Sequence, residues 1–414
     1  MKKGISLIVL VITIIVMIIL AASVVISLSN SGVINRADYA VNETNTKLEM
    51  TKLELLQAEV LAEGHGKIGV TEYIDKLKEE DLIEESVLQL SSIATLVTTA
   101  DGSKLLIKQL LDNKLDVQII TKNNCTHIDT EVKGATDTYS GELYCKVCET
   151  IIENGREGIS HNAVIPAGGI YTTKSGTVYD AGDIFPETIT VGDTYTFEDY
   201  TYKYGNYKKE HLVHNFSTNE IEKRYYWEES NSNSWGVDTI SKTKQNYTDM
   251  LSVINGKKVT HAVHTFLNAT NLINPPQLSI NATRIGGAFS GCKSLKSMPW
   301  IPYNVTNMNS TFYDCKELEN ITRLSPVLTH FSSVFSGCTK LKMAPAIPLT
   351  TTYMSGTFID CVNLEGVIEI NADKLSSTSN VFKGTEKNIQ ITGVSPKLQI
   401  LAETATNNNV TILK

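Results

Sequence analysis

The sequence of 414 residues contains no cluster of lysine and arginine side chains. It has 37 Lys and Arg residues against 45 Asp and Glu residues, which gives a net charge of −8 without a basic block. Because a nucleic-acid-binding domain needs a clustered basic face, this composition excludes nucleic acid as a partner. The chain also lacks a nucleophile–base motif, a phosphate-binding loop and an open metal site. These absences predict that the protein is not an enzyme.

Cysteine is scarce and unevenly distributed, with seven residues in the whole chain. Cys125, Cys145 and Cys148 surround a CxxC motif. The other four follow one another at equal intervals: Cys292, Cys315, Cys338 and Cys361. An odd number of cysteines argues against a framework built only from disulfides. The remaining composition, 42% hydrophobic and 20% charged, is typical of folded protein, and the length predicts two to four domains.

Residues 5–29, ISLIVLVITIIVMIILAASVVISLS, are apolar or small and carry no charge. About 20 such residues span a bilayer core as a helix. The apolar part of a cleaved secretory signal, the alternative interpretation, runs for only about 7–15 residues. We therefore predict a retained transmembrane helix within residues 1–35. Lys2 and Lys3 precede it and favour a cytoplasmic N-terminus, so the rest of this single-pass chain is expected outside the cell membrane, at the cell surface.

The N-terminal segment MKKG-ISLIVLVITIIVMIILAA also resembles the N-terminus of type IV prepilins. The resemblance implies that a prepilin peptidase cuts after Gly4 and leaves Ile5 as the new N-terminus. It further implies a pilin-like subunit that builds or decorates a surface filament. The chain departs from the family at Val9, where prepilins usually carry a glutamate that aligns subunits in the filament.

Residues 36–122 are expected to form a helical stalk and a small α+β domain. Leu48, Leu55 and Ala62 repeat at intervals of seven residues, which indicates a helix with one apolar stripe. Beyond the stalk, the segments EYIDKLKEEDLIEE and SKLLIKQLL have helical patterns, whereas ATLVTT and LDVQII resemble strands.

Residues 123–164 carry a set of metal-binding side chains in a turn-rich segment with few large apolar residues. The set consists of Cys125, His127, Cys145, Cys148 and His161. A tetrahedral zinc ion takes four nitrogen or sulfur ligands, and a CxxC motif supplies two of them. Cys125 together with either His127 or His161 would complete a structural zinc site. A Cys145–Cys148 disulfide and a redox-active CxxC remain alternatives, although no thioredoxin-like βαβ pattern surrounds the motif.

This segment also resembles a short CxH…CxxC…H zinc-ribbon-like module that recurs in surface proteins of Gram-positive bacteria. The family motif often has a further cysteine between the first cysteine and the CxxC. Residues 135–138 of this chain, where it would stand, contain none. The fourth zinc ligand is therefore left open.

Residues 165–262 predict a β-rich module that ends in a cap for the repeats. Alternating aromatic and polar residues separated by glycine-containing turns are typical of hairpins. Five aromatic residues indicate one core-facing side of a sheet: Tyr195, Phe197, Tyr200, Tyr202 and Tyr204. The acidic residues of this region lack the spacing of a calcium loop, so we interpret them as turn and surface residues.

Residues 263–392 contain repeats of constant length with several columns of equivalent positions. One column is Phe266, Phe289, Phe312, Phe335 and Phe358, and another is Leu272, Leu295, Leu318, Leu341 and Leu364. A single coil of this length cannot bury its apolar residues, but stacked coils bury them as ladders. The pattern predicts a solenoid with a C-terminal cap over residues 393–414. The four repeat cysteines are predicted to be buried free thiols.

Lines such as AFSGCKSLKSMPWIPYNVTNM resemble the BspA-like class of bacterial leucine-rich repeats, over about residues 255–392. The third repeat departs most, because Thr322 and Ser325 replace its prolines. The resemblance implies a surface protein that binds host proteins, matrix proteins or other cells. The sequence as a whole therefore predicts a multidomain, membrane-anchored protein whose solenoid binds a protein or another cell-surface ligand.

Overall fold

The computed structural model describes residues 50–413, apart from 62, 65–67, 101, 111–113, 122–124, 126, 128, 206, 216–219, 229–232, 241 and 322. The predicted leader and membrane helix, including Gly4 and Ile5, and the first part of the predicted stalk lie outside the described residues. Within them, no helix is both long and apolar enough to cross a bilayer. The chain divides into two compact units. One holds the described residues up to Ser86 together with Val97–Ile119, and the other holds Val87–Leu96 and Ile120–Lys414.

The N-terminal part of the described chain contains two helices and a four-stranded sheet. Residues 50–61 are helical (α1), and α2 is Val70–Glu79. The strands are β1 (Ile83–Ser91), β2 (Ala94–Thr99), β3 (Lys104–Gln109) and β4 (Leu115–Ile120), and their order in the sheet follows the chain. Tyr73, Ile74 and Leu77 form the buried face of α2, and the Tyr73 hydroxyl donates to the carbonyl of Leu53 over 2.9 Å.

Two segments of this region correct the sequence prediction. The segment EYIDKLKEEDLIEE is helical only as far as Glu79, and β1 already begins at Ile83. The segment SKLLIKQLL was expected to be helical, but residues 104–109 form strand β3. Leu105, Leu106 and Ile107 are all buried. Consecutive residues of a helix point about 100° apart, whereas a strand that is covered on both faces buries every residue of a short apolar run. Periodicity alone does not distinguish these two cases.

The second unit contains a small antiparallel sheet of three strands. These are β5 (Thr130–Lys133), β6 (Glu142–Cys145) and β7 (Thr150–Glu153). Cys145 pairs with Thr130 on one side and with Thr150 on the other. We call residues 125–157 the cysteine module.

An eight-stranded sheet follows. Its strands are β8 (Ile159–His161), β9 (Ile170–Thr172), β10 (Val178–Tyr179), β11 (Thr194–Phe197), β12 (Tyr200–Tyr204), β15 (Trp235–Ile240), β16 (Leu251–Ile254) and β17 (Lys257–His261), in the spatial order β10-β9-β11-β12-β15-β17-β16-β8. A separate hairpin is formed by β13 (Tyr207–Asn215) and β14 (Glu220–Glu228). Tyr195, Tyr200, Tyr202 and Tyr204 are at most 3% exposed, so these four predicted core aromatics are confirmed.

The repeats form a solenoid of stacked coils, as predicted. Successive coils pair through isolated parallel bridges that link His261, Arg284, Asn307, His330, Tyr353 and Ser377 in turn. The last coils add a parallel sheet of β18 (Gly366–Glu369), β19 (Ile389–Thr392) and β20 (Val410–Ile412), and helix α3 (Leu398–Ala402) lies before β20. One continuous hydrophobic core runs from Ile165 through the eight-stranded sheet and the coils to Val410.

The phenylalanine column is confirmed as a buried stack of rings. Centroids of successive rings lie 5.0 Å apart for Phe266 and Phe289, and 5.8 Å apart for Phe312 and Phe335. Each coil turns at an equivalent position in the left-handed region, with φ of 75° at Gly291 and 56° at Asp314. Glycine and aspartate tolerate this conformation better than most residues, which accounts for both residue types in that column.

The repeat cysteines are free and buried, as predicted. Each thiol donates to the carbonyl of the phenylalanine 26 residues earlier, for example Cys315 to Phe289 over 3.1 Å and Cys361 to Phe335 over 3.0 Å. Burial raises the pKa of the Cys292 thiol to about 12. The column therefore joins neighbouring coils through hydrogen bonds and does not supply reactive thiolates.

Candidate metal centre

Four of the five predicted metal ligands come together in the cysteine module. Cys125 and His127 precede β5, Cys145 ends β6, and Cys148 lies in the turn before β7. Their ligand atoms all lie within 4.8 Å of one another. This cluster of three thiols and one imidazole can hold a metal ion.

The distances within the cluster fit a tetrahedral zinc ion. Zn–S bonds of about 2.3 Å and Zn–N bonds of about 2.0–2.1 Å imply S···S separations of roughly 3.8 Å and S···N separations of roughly 3.5 Å. Cys125 Sγ and Cys145 Sγ are 3.6 Å apart, and Cys148 Sγ lies 3.5 Å from His127 Nδ1. The ligand types and their spacing therefore suit zinc.

Backbone groups around the cluster favour negatively charged sulfur. The amide of His127 donates to Cys125 Sγ over 3.4 Å, and the amide of Cys148 donates to Cys145 Sγ over 3.5 Å. His127 has a left-handed φ of 54°, which turns the chain back towards Cys125. Thr150 Oγ1 lies 3.0 Å from Cys148 Sγ. Such contacts orient metal ligands and stabilise thiolates.

The pKa shifts within the cluster also favour a thiolate. The hydrogen bond with Cys125 lowers the pKa of Cys145 below its usual range, against the effect of burial, and the amides of Cys148 and Val147 lower it further. The hydrogen bond with Cys145, together with burial, raises the pKa of Cys125. One thiolate is thus already favoured in this arrangement, and thiolate is the form of cysteine that binds metal.

His161 lies elsewhere, on β8 of the eight-stranded sheet. Its Nδ1 is 3.0 Å from the hydroxyl of Tyr195, and its ring packs edge-on against Phe197 with centroids 4.4 Å apart. Burial lowers the pKa of His161, which favours the neutral imidazole. Of the two histidines that the sequence offered for the fourth ligand, the structure places His127 with the thiols.

Two acidic residues of the β-rich module have structural contacts. Asp193 is 1% exposed and accepts hydrogen bonds from the Tyr171 hydroxyl, the Lys174 amide and the Thr190 amide. Asp199 forms an ion pair with Lys244. Among the residues that the structure describes, these acids do not join a group of potential metal ligands.

The sequence did not indicate a polar cleft of about 500 Å³ that opens where β17 meets the first coils. It is lined by Asp137, Asn233, Ser234, Gly256, Lys257, Lys258, Thr260, His261, Thr283 and Arg284. Lys258 Nζ lies 2.8 Å from the Asp137 carboxylate. These residues come from distant parts of the chain and share no motif, so sequence analysis had no signal for them.

A family model agrees with the repeat architecture. Residues 263–389 match, in six copies, the family model described as BspA type leucine rich repeat region. A leucine-rich repeat protein of T. pallidum is similar in structure with 21% identity, over 43% of this chain and 73% of that chain, at a TM-score of 0.31. One from Bacteroides ovatus is 17% identical over 44% of this chain and 73% of that chain, at a TM-score of 0.18. No curated protein matches the chain. The repeats of residues 263–389 are therefore similar to the BspA type of leucine-rich repeat.

Proposed function

We propose that this protein is a membrane-anchored cell-surface protein that binds a protein or another cell-surface ligand through its solenoid. One observation carries the proposal. Buried columns repeat the same residue types from coil to coil, whereas the column of parallel bridges carries chemically different side chains at Arg284, Asn307, His330 and Tyr353. Packing in the core requires the uniformity of the buried columns. It does not account for the variation in the bridge column.

The bridge column supplies a surface suited to specific contacts. The rings of His330 and Tyr353 lie 4.7 Å apart, and Tyr353 is 40% exposed. Arg284 also lines the polar cleft, so the cleft and the column are continuous. Aromatic and arginine side chains are enriched among the residues that dominate binding energy at protein interfaces. Stacked repeats commonly use such extended surfaces for recognition.

A binding experiment with the full chain in detergent tests this proposal. Immobilised matrix proteins serve as probes, and Arg284→Ala with Tyr353→Ala is expected to reduce binding at least tenfold, a typical loss for two interface anchors. Met343→Ala is the control, because Met343 is 61% exposed but lies outside the bridge column. Equal binding by both variants would exclude this surface as the ligand site.

The membrane anchor and the metal complete the proposal. The apolar run of residues 5–29 supports a single-pass anchor with the repeats outside the cell. The cluster of Cys125, His127, Cys145 and Cys148 supports one structural zinc ion, which would hold the cysteine module together. With all four positions filled by protein side chains, no position is left for a substrate.

A pilin-like subunit is the second candidate, and the leader sequence around Gly4 and Ile5 favours it. Val9 weighs against it, because this position offers no carboxylate to the N-terminal amine of a neighbouring subunit. A buried amine without a partner is costly. We therefore propose that the chain forms no abundant homopolymer.

A further inference from the structure

Three successive coils present one column of side chains to the cysteine module. Its members are Gln277, Trp300 and Arg323, which occupy equivalent positions of the repeat. Gln277 Nε2 donates to the carbonyl of Glu157 over 3.1 Å. Trp300 Nε1 donates to one carboxylate oxygen of Glu153 over 2.7 Å, and Arg323 Nε donates to the other. Glu153 thus joins two neighbouring coils.

Aromatic rings extend this contact. The Arg323 guanidinium lies over the rings of Tyr303 and Trp300, at 4.4 and 5.3 Å from their centroids. The Arg323 and Glu153 side chains are only 19% and 28% exposed. Hydrogen bonds between charged groups are stronger than neutral ones, and partial removal of water strengthens them further. We call Glu153, Trp300, Tyr303 and Arg323 the latch.

The latch residue Arg323 lies in the third repeat, which departs most from the pattern. Arg323 occupies the column position of Trp300, between the two residues that replace the prolines, Thr322 and Ser325. The Ser325 hydroxyl donates to the carbonyl of Tyr303 over 2.7 Å. The irregular repeat therefore carries a docking residue and keeps its contact with the preceding coil through serine.

The cysteine module has little core of its own. Its buried hydrophobic residues are Leu143, Cys145, Val147 and Cys148, and none of them belongs to the two large core clusters of the described chain. Two of these residues, Cys145 and Cys148, are also proposed metal ligands. A sheet of this size needs a metal, a disulfide or an external surface to keep its shape.

The latch and the metal cluster are joined through β7. This strand begins at Thr150, which pairs with Cys145 and contacts the Cys148 thiol, and it ends at Glu153. The chain then leaves the module through Gly158, where a Cβ would lie 2.6 Å from Ser252 Oγ. The position of the CxxC turn thereby sets the position of Glu153 against the solenoid.

We propose that metal binding in the cysteine module and closure of the latch on the solenoid stabilise each other. The metal fixes the position of β7, so that Glu153 accepts hydrogen bonds from Trp300 and Arg323. These hydrogen bonds in turn raise the affinity of the cysteine module for the metal. Two events that favour the same state must do so reciprocally. The inference rests on the zinc site proposed above. It implies that metal binding in the cysteine module stabilises the first coils of the solenoid.

Zinc affinity of latch variants is the first test, measured on the full chain in detergent by competition with a chromophoric chelator. Glu153→Gln is expected to weaken zinc binding at least fivefold, within the usual range of coupling between sites. Trp300→Phe, which keeps a ring and loses the donor, should weaken it to a lesser degree. Glu317→Gln is the matched control, because it removes a carboxylate from the ion pair with Lys340 at 2.6 Å on the solenoid.

Hydrogen exchange is the second test. Chelation of the wild-type chain should accelerate amide exchange in residues 297–304 and 320–327, which carry Trp300, Tyr303 and Arg323 of the latch. Exchange in residues 357–364 should not change. In Glu153→Gln, chelation should accelerate amide exchange in the same two ranges only slightly. Unchanged exchange in residues 357–364 would show that this variant is folded.

Zinc affinity that is the same in Glu153→Gln and Glu317→Gln, or exchange that does not respond to chelation, would overturn the coupling and leave the zinc site intact. A wild-type chain that takes up no zinc would overturn both proposals.

Discussion

Phe312 lies in the middle of the phenylalanine column and is fully buried. Its ring stacks on Phe289 at 5.5 Å and on Phe335 at 5.8 Å, with interplanar angles of 4° and 5°. Phe312→Ala removes the ring from both contacts and leaves a cavity, so we expect a loss of about 3–5 kcal/mol in the free energy of unfolding. Chemical denaturation measures this loss, and the unfolding transition should also become less cooperative because the coils depend on their neighbours.

Met343→Ala is the control for this substitution, because Met343 is 61% exposed on the same solenoid. Surface substitutions usually change stability by less than about 0.5 kcal/mol. A similarly small effect of Phe312→Ala would show that the phenylalanine column does not carry the core of the coils.

The cysteine module is the element whose integrity depends on a few side chains. The full chain is expected to bind one zinc ion, and Cys145→Ser with Cys148→Ser is expected to abolish binding, because two of the four proposed ligands are lost. Metal content of the purified protein, measured by atomic spectroscopy, checks the stoichiometry. Free thiols counted after chelation report whether the CxxC is reduced.

Cys292→Ser is the matched control for the substitutions at Cys145 and Cys148. Cys292 is a buried solenoid thiol that donates to the carbonyl of Phe266 over 3.1 Å, and serine retains that hydrogen bond. Its zinc content should equal that of the wild type. A wild-type chain without metal and with an oxidised Cys145–Cys148 pair would favour the disulfide alternative.

For the whole molecule, the decisive question is how the chain is held at the cell surface. We expect it in the membrane fraction, with the residues beyond 36 digested by protease added outside the cell. If the prepilin resemblance holds, intact mass will show a chain that begins at Ile5, and Gly4→Val will retain the leader, because the peptidase needs a small residue before the cut.

An uncut N-terminus in the wild type would instead indicate a plain signal-anchor. Recovery of the chain as soluble cytoplasmic protein would contradict the anchor itself. Abundant filaments of this chain in sheared surface fractions, seen by electron microscopy, would favour the pilin-like function over ligand binding.

The solenoid was predictable from the order of the residues alone. In a stack of coils each residue packs on its equivalent in the next coil, so a contact such as Phe289 on Phe312 appears in the sequence as a constant interval between equivalent residues. The same holds for the chemistry of the metal cluster, because the CxH and CxxC spacings are local. Contacts between residues at short or constant separations can therefore be recognised in the sequence.

Contacts between elements that are far apart along the chain were not predictable in this way. His161 is separated from the thiols because β8 pairs with β16, which lies far along the chain. The run around Leu106 is a strand because both of its faces are covered. Glu153 meets Trp300 and Arg323 across 147 and 170 residues. Such contacts have no period and no motif, since they depend on how folded elements fit together in space.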